Sequence, residues 1–555
     1  MAVTLACLVP FLDKAFNIDD PMFLWTAKHI VVDPLDPFGF KVNWGGSPNP
    51  MWLQTKNPPL ACYYLAFASR FVGWREAGLH AFMLVPTTSA VLGTYQLARR
   101  FCRSALIAAL ICLFTPAFLA SSTSVMCDVP MLATWVWAVV LWVRGLDEDR
   151  LPLLFASGAL IAASALIKYY GIALVPLLAM YSLLRLKRFG AWTVCLALPM
   201  AVLGAYQVWS RAVYGVGLLT NATVFASNAR DIYGMPPFEK IVGALAFTGG
   251  CLIAALFFAP LIWSRRALLG GAVTAVLCAL LLARLGEVGL YKLIDESGRP
   301  SWAIIAQMAV LITAGFGVIL LGADDLRDRR DADSALIAVW LLGTLVFAGA
   351  VNWTVNARSI LPAAPALGIL IARRLELQGK PSSFPTARCA FAALIPAAVI
   401  SLWVAWADCT LANAQRTAAD LIHATYAAPG RTLRLQSHWG LQYYLTQFPD
   451  VVEMDADRFV CKRGDVIVIS VNNVNRLGVP KNAFDARPSI TIPIRTGLAV
   501  LRAEMCAGFY SDLFGPMPFV FGAVPDESFE IHVARLSFAI IGGKVRIYQD
   551  DPGPR

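Results

Sequence analysis

Apolar runs of about 16–22 residues recur along the first three quarters of the chain, separated by short basic or Pro/Gly-rich breaks. A helix needs roughly 20 apolar residues to cross a bilayer core, so each run is long enough to span one. The pattern predicts crossing helices at about 78–98, 104–121, 125–144, 152–168, 169–186, 191–210, 240–262, 267–284, 301–321, 334–351, 359–372 and 387–406. A further apolar start, Ala2 to Leu12, is too short to cross: eleven residues at about 1.5 Å each reach about 17 Å, against a core of about 30 Å. It is read as partly re-entrant, or as a clipped chain start, and it lacks the basic n-region of a signal peptide.

From about residue 408 the texture changes to short alternating segments. Val466-Ile-Val-Ile-Ser470 reads as a strand, and Asn413 to Ala424 reads as a helix. The chain therefore divides into a membrane domain, 1–407, and a small exported α/β domain, 408–555. The fold class expected is an α-helical polytopic membrane protein with about 12–13 crossings and a C-terminal α/β domain. No short-period repeat and no low-complexity tract is visible.

Composition agrees with this pattern. Of 555 residues, 58% are hydrophobic and 15% are charged. The net charge of +10 lies mostly in loops between helices, which makes it topogenic charge. No basic stripe with interleaved aromatics appears, so nucleic acid is excluded as a partner. Alternate loops hold Arg99, Arg100 and Arg103; Arg185, Lys187 and Arg188; Arg265 and Arg266; Arg327, Arg329 and Arg330; and Arg373, Arg374 and Lys380. The positive-inside rule makes that face cytoplasmic. The opposite face receives 13–77, 122–124, the Lys168/Tyr169 junction, 211–239, 285–300, 352–358 and the tail. In a bacterial cell that face is the periplasmic side of the inner membrane; in a eukaryote it is a lumen.

Twelve cysteines are present, nine of them in or beside apolar runs, where they read as small core hydrophobes. Cys461 with Cys506 is the candidate disulfide if the tail is exported. No Cys or His spacing suggests zinc.

The external face collects the chemistry. Phe16-Asn-Ile-Asp19-Asp20-Pro21 places two adjacent carboxylates after an apolar start. Beside lipid such a pair must be solvated, paired or bound, and neighbouring like charges push one pKa up toward a base's working range. The bland alternative is a pair of helix N-terminal acids. Lys56, before Asn57-Pro58-Pro59-Leu60, is placed to hold a phosphate at the interface, or else to snorkel. Asp128 opens a helix in an apolar setting, as a functional group or as a cap. Lys168 and Arg358 are cations on the face that the charge bias disfavours, either functional or interfacial anchors. Cations at a membrane surface hold a phosphate, and a carboxylate takes a proton from an attacking hydroxyl. His438-Trp439-Gly440 in the tail reads as packing rather than substrate contact.

In this order the motifs resemble glycosyltransferase family 39, the group of protein O-mannosyltransferases and aminoarabinose lipid A transferases, within the wider GT-C class. They are the acidic pair Asp19-Asp20, the Lys56 to Leu60 segment, Asp128, the Lys168 to Gly171 junction and the Arg358 to Pro362 segment. The likeness covers about residues 10–370. Two departures are an Asp-Asp pair in place of Asp-Glu, and Asn57 inserted before the prolines.

The resemblance implies an inverting transfer from a polyprenyl-phosphate sugar to an acceptor on a protein, lipid or glycan. It implies Asp19 as general base, Asp20 as its partner, Asp128 orienting acceptor or base, and Lys56, Lys168 and Arg358 on the donor phosphate. It implies no cofactor and no metal site; the alternative is a divalent ion on Asp19, Asp20 and Asp128. Two rivals from other classes are a transporter or flippase of a lipid-linked glycan, with its site at the midplane, and a non-catalytic scaffold.

Overall fold

The computed structural model describes residues 1–378, 384–473, 483–541 and 544–548. All twelve expected crossings recur as helices or helix pairs. Seven are long and apolar enough to span on their own: Asp128–Asp147, Tyr169–Leu186, Trp192–Tyr214, Arg265–Leu285, Trp302–Arg329, Ala332–Val351 and Arg388–Tyr426. Pro237–Cys251 and Ala254–Ile262 join as an eighth, bent by 78°. The other four fall short for local reasons. Glu76–Phe101 runs unbroken but carries His80, Pro86 and three threonines among its apolar residues, and Leu151–Ile167 has 17 residues. The remaining two are broken, one into Ala105–Leu113 and Pro116–Ser121, the other at Ala357–Ile360 and Ala364–Gln378. The start of the chain forms a short helix, Ala2–Leu8, continued by a turn to Phe11.

Small residues let these helices approach closely, as expected where lipid supplies no hydrophobic drive. Gly249 lies against the Leu311 carbonyl, Gly315 against the Leu245 carbonyl, and Gly368 against the Ala108 carbonyl. A side chain at any of them would meet backbone.

The charged loops expected on the cytoplasmic face do gather at one end. Arg100 pairs with Asp147 (2.7 Å) and Asp333 (3.2 Å), Arg185 with Asp147, and Arg374 with Asp328 (2.8 Å). Arg374 also stacks over Trp263, which brings in the 265–266 loop. Lys380 lies outside the described residues.

Helix Phe384–Tyr426 runs 43 residues without a break, so the boundary drawn at 408 falls inside it and the first tail strand starts at Leu433. Asn413 to Ala424 is the outer part of this helix, and Val466–Ser470 is a strand as read. That strand is central in a five-stranded sheet of order 451–453, 433–436, 466–470, 527–534, 484–492, parallel across the first three and antiparallel after. Its core is Leu433, Leu435, Val466, Val468, Phe529 and Ile531 packed on Ala418, Ala419 and Ile422 of the long helix. The expected Cys461–Cys506 disulfide is not present; both are free, buried thiols. Cys461 ends strand Arg458–Cys461, whereas Cys506 lies toward the Lys292 carbonyl of an external membrane loop.

Candidate active site

Asp19 precedes helix Asp20–Val32, where an acid ordinarily caps the helix. Its side chain makes no capping bond. Instead the Arg358 Nη1 donates to Asp19 Oδ2 at 2.7 Å, joining residues 339 positions apart. Asp19 is 31% exposed, so one side of its carboxylate faces open space. The turn that presents it is strained: Ile18, β-branched and buried, sits at φ +53°. The turn is braced by Asn17, whose Oδ1 accepts from Gly440 N at 3.1 Å. Gly440 is needed there, because a side chain would press on the Phe16 carbonyl. His438-Trp439-Gly440 thus packs under the Asp19 turn, and burial pushes the His438 imidazole down to about 4.

Asp20 has a different character. It is 1% exposed, and its two oxygens accept from Asn17 N (3.1 Å) and Val125 N (2.9 Å). It ties the first external segment to the loop before Asp128. Burial pushes its carboxyl up to about 7, against the opposing pull of Lys14 and the two N–H donors. The folded chain therefore keeps a proton that the unfolded chain releases, so stability falls as pH rises from about 4 to about 7 and then levels. The melting temperature of the wild type is expected to fall more steeply over that window than that of Asp20→Asn. Parallel slopes would place the titration on another group.

Asp128 sits in the first turn of Asp128–Asp147 but does not cap it; Lys168 Nζ reaches its Oδ1 at 2.5 Å. Its Oδ2 is buried with no hydrogen-bond partner. Lys168 is held in extended backbone at the end of Leu151–Ile167, with Gly171 N donating to its carbonyl at 2.8 Å. Gly171 lies against the Ser164 backbone, which explains a glycine three residues after the lysine. Arg358 stands in Ala357–Ile360, a single turn capped by the Asn356 side chain. Its Nη1 also lies 3.0 Å from Met126 Sδ, and its Nε is buried without a partner. Met126 is two residues from Asp128, so the Asp19–Arg358 and Asp128–Lys168 pairs adjoin.

Lys56 is not in this cluster. Its Nζ donates to Leu53 O (2.5 Å) and to Asn221 Oδ1 (2.9 Å), and it stands 4.7 Å over the Phe225 ring. Burial pushes its ammonium down to about 8. Phe225 packs edge-on to Trp353, so Lys56 faces the Arg358 loop across helix Leu218–Tyr233. That rim carries two more cations, which sequence reading missed. Arg230 donates to Val351 O (2.7 Å) and Lys240 to Asn352 O (2.9 Å). Both hold the loop by neutral carbonyls, and Lys240 also faces the Asp512 carboxylate.

Also missed were groups below the site. Lys14 is 2% exposed and pairs with Asp408, and it donates to Thr123 Oγ1 at 3.1 Å. Tyr510 of the tail donates to the same Asp408 carboxylate, at 2.8 and 2.9 Å from its two oxygens. A lone Lys at the end of an apolar start reads as an anchor, and nothing near Tyr510 in the sequence signals a return to the membrane domain.

Asp19, Asp20 and Asp128 each have separate partners. Among the described residues no group of three or more His, Cys, Asp or Glu is placed to hold a metal ion.

Among known proteins, residues 56–209 match the family model described as dolichyl-phosphate-mannose-protein mannosyltransferase. That stretch contains Lys56, Asp128 and Lys168. No curated protein matches the chain. Solved structures with a similar course include ArnT from Cupriavidus metallidurans in the apo state, at 16% identity and TM-score 0.42 over 85% of this chain and 92% of that one. The same protein bound to undecaprenyl phosphate gives 15% and 0.41 over the same shares. An Archaeoglobus fulgidus oligosaccharyltransferase tethered with an acceptor peptide gives 13% and 0.43 over 82% of this chain and 62% of that one. Over residues 56–209, then, this chain is similar to the dolichyl-phosphate-mannose-protein mannosyltransferases, within the group its motifs resemble.

Proposed function

We propose that the chain is a membrane glycosyltransferase that moves a sugar from a polyprenyl-phosphate carrier to an acceptor hydroxyl or phosphate at the extracytoplasmic face, with inversion. In this reading an acceptor hydroxyl attacks C1 of the sugar and its proton passes to Asp19. The bond from C1 to the phosphate oxygen breaks, and the electron pair leaves with the polyprenyl phosphate. Arg358 and Lys168 stabilise the charge growing on that phosphate, where fixed cations in a shielded site act most strongly. Lys56, across the Leu218–Tyr233 helix, receives the donor phosphate from the membrane edge. Asp128 holds Lys168 in place and leaves one oxygen free for the acceptor.

The observation that carries this reading is the 2.7 Å Asp19–Arg358 pair beside the Asp128–Lys168 pair. It sets a partly exposed carboxylate next to two cations at one end of the bundle. The family match over 56–209 supports the same reaction class. The site belongs to the periplasmic side of a bacterial inner membrane.

The test is to incubate the purified full chain with labelled polyprenyl-phosphate hexoses and pentoses and a membrane extract as acceptor. Label is expected to leave the carrier and appear in an acceptor fraction. In Lys56→Ala the KM for the working donor is expected to rise about tenfold, through loss of one charge-assisted phosphate contact. Movement of intact labelled carrier across sealed vesicles, with no new glycosidic bond, would overturn the proposal in favour of a flippase.

A further inference from the structure

The tail does more than cover the membrane domain. Its 507–512 segment enters the external end of the bundle and bonds to the loop that carries Arg358. Ala357 N donates to Phe509 O at 2.9 Å, and Asp512 N donates to Val355 O at 2.9 Å. Thr354 Oγ1 donates to the buried Asp512 carboxylate. Between these anchors Tyr510 is 8% exposed. Its hydroxyl is fixed by Asp408, and the Arg358 guanidinium stands 5.7 Å over its ring.

We propose that Tyr510 is a positioning residue for Arg358, supplied by the C-terminal domain. This rests on the sugar-transfer reading above, in which Arg358 holds the donor phosphate. The hydroxyl bond to Asp408 orients the ring. The ring face, negative by its quadrupole, then sets the plane of the guanidinium while Nη1 stays on Asp19. A guanidinium binds phosphate well only when its fork is correctly aimed. A structural tyrosine would be accounted for by the Asp408 bond alone. The ring placed against Arg358 is what assigns the further role.

The test uses the full chain and keeps the shape of the side chain. Tyr510→Phe retains the ring, and phenylalanines of increasing fluorination at 510 weaken its quadrupole at nearly constant size. Two readouts are taken: KM for the polyprenyl-phosphate sugar, and affinity for undecaprenyl phosphate. Both are expected to worsen in steps along the series, by about tenfold at the most fluorinated ring, with kcat changing much less. In an Arg358→Gln background the series is expected to be flat. Transfer by the wild type with a flat series overturns this inference and leaves the sugar-transfer reading standing. A graded affinity series without any transfer overturns that reading and keeps the role of Tyr510. Equal steps in both backgrounds also overturn the inference, because Tyr510 would then act on something other than Arg358.

Discussion

Asp19→Asn is expected to lower sugar transfer by about 10²–10⁴-fold, the usual contribution of a general base, in a protein that still folds. The amide has the size of the carboxylate, and its oxygen can still accept from Arg358 Nη1. Asp19 is partly exposed and Arg358 keeps the Asp128 charge nearby, so the fold is expected to survive the loss of this pair. Rate and stability therefore separate at this position, as they would not at Asp20, which is fully buried under two backbone donors. Initial rates with the working donor, read beside the melting temperature, check this. Wild-type rates in Asp19→Asn would remove Asp19 from the base role.

Lys14→Met is expected to be the most destabilising single change, at about 3–5 kcal/mol, because it leaves the Asp408 charge buried without its cation. Lys14 and Asp408 are 2% and 1% exposed, and the Tyr510 hydroxyl alone would remain on the carboxylate. Replacing both by apolar residues, Lys14→Met with Asp408→Leu, is expected to recover most of that loss, since no uncompensated charge is then buried. Thermal melting of the two single variants and the double variant measures it. A Lys14→Met chain that melts like the wild type would mean that water reaches Asp408 and the pair is not a buried one.

The bundle was legible because each apolar run is long enough to announce itself, and because the Arg-rich loops fall on one side when the helices alternate. The same contrast exposed Asp19, Asp128, Lys168 and Arg358, each a charge out of keeping with its surroundings. Their pairing was not legible: the local sequence of Arg358 says nothing about a partner 339 residues earlier. Lys14 was overlooked because one lysine beside an apolar start matches the pattern of an interfacial anchor. Tyr510 and Asp512 were invisible for a topological reason. Period-two alternation identifies strands in the tail, but no periodicity says which loop dips back toward the lipid. The Cys461–Cys506 pairing failed likewise, since a count of cysteines carries no geometry.

The unbroken helix from Phe384 to Tyr426 is about 65 Å long at about 1.5 Å per residue. It presents Ser401 and Trp403 to the bundle and tail, Asp408 to Lys14, and Gln415 to the buried Glu527. A graft that exchanged the outer domain at residue 408 would cut this rod at its most buried charge. Splices intended to give a working hybrid belong beyond Tyr426, and they must carry the donor's own 507–512 finger with them or rebuild its matching groove.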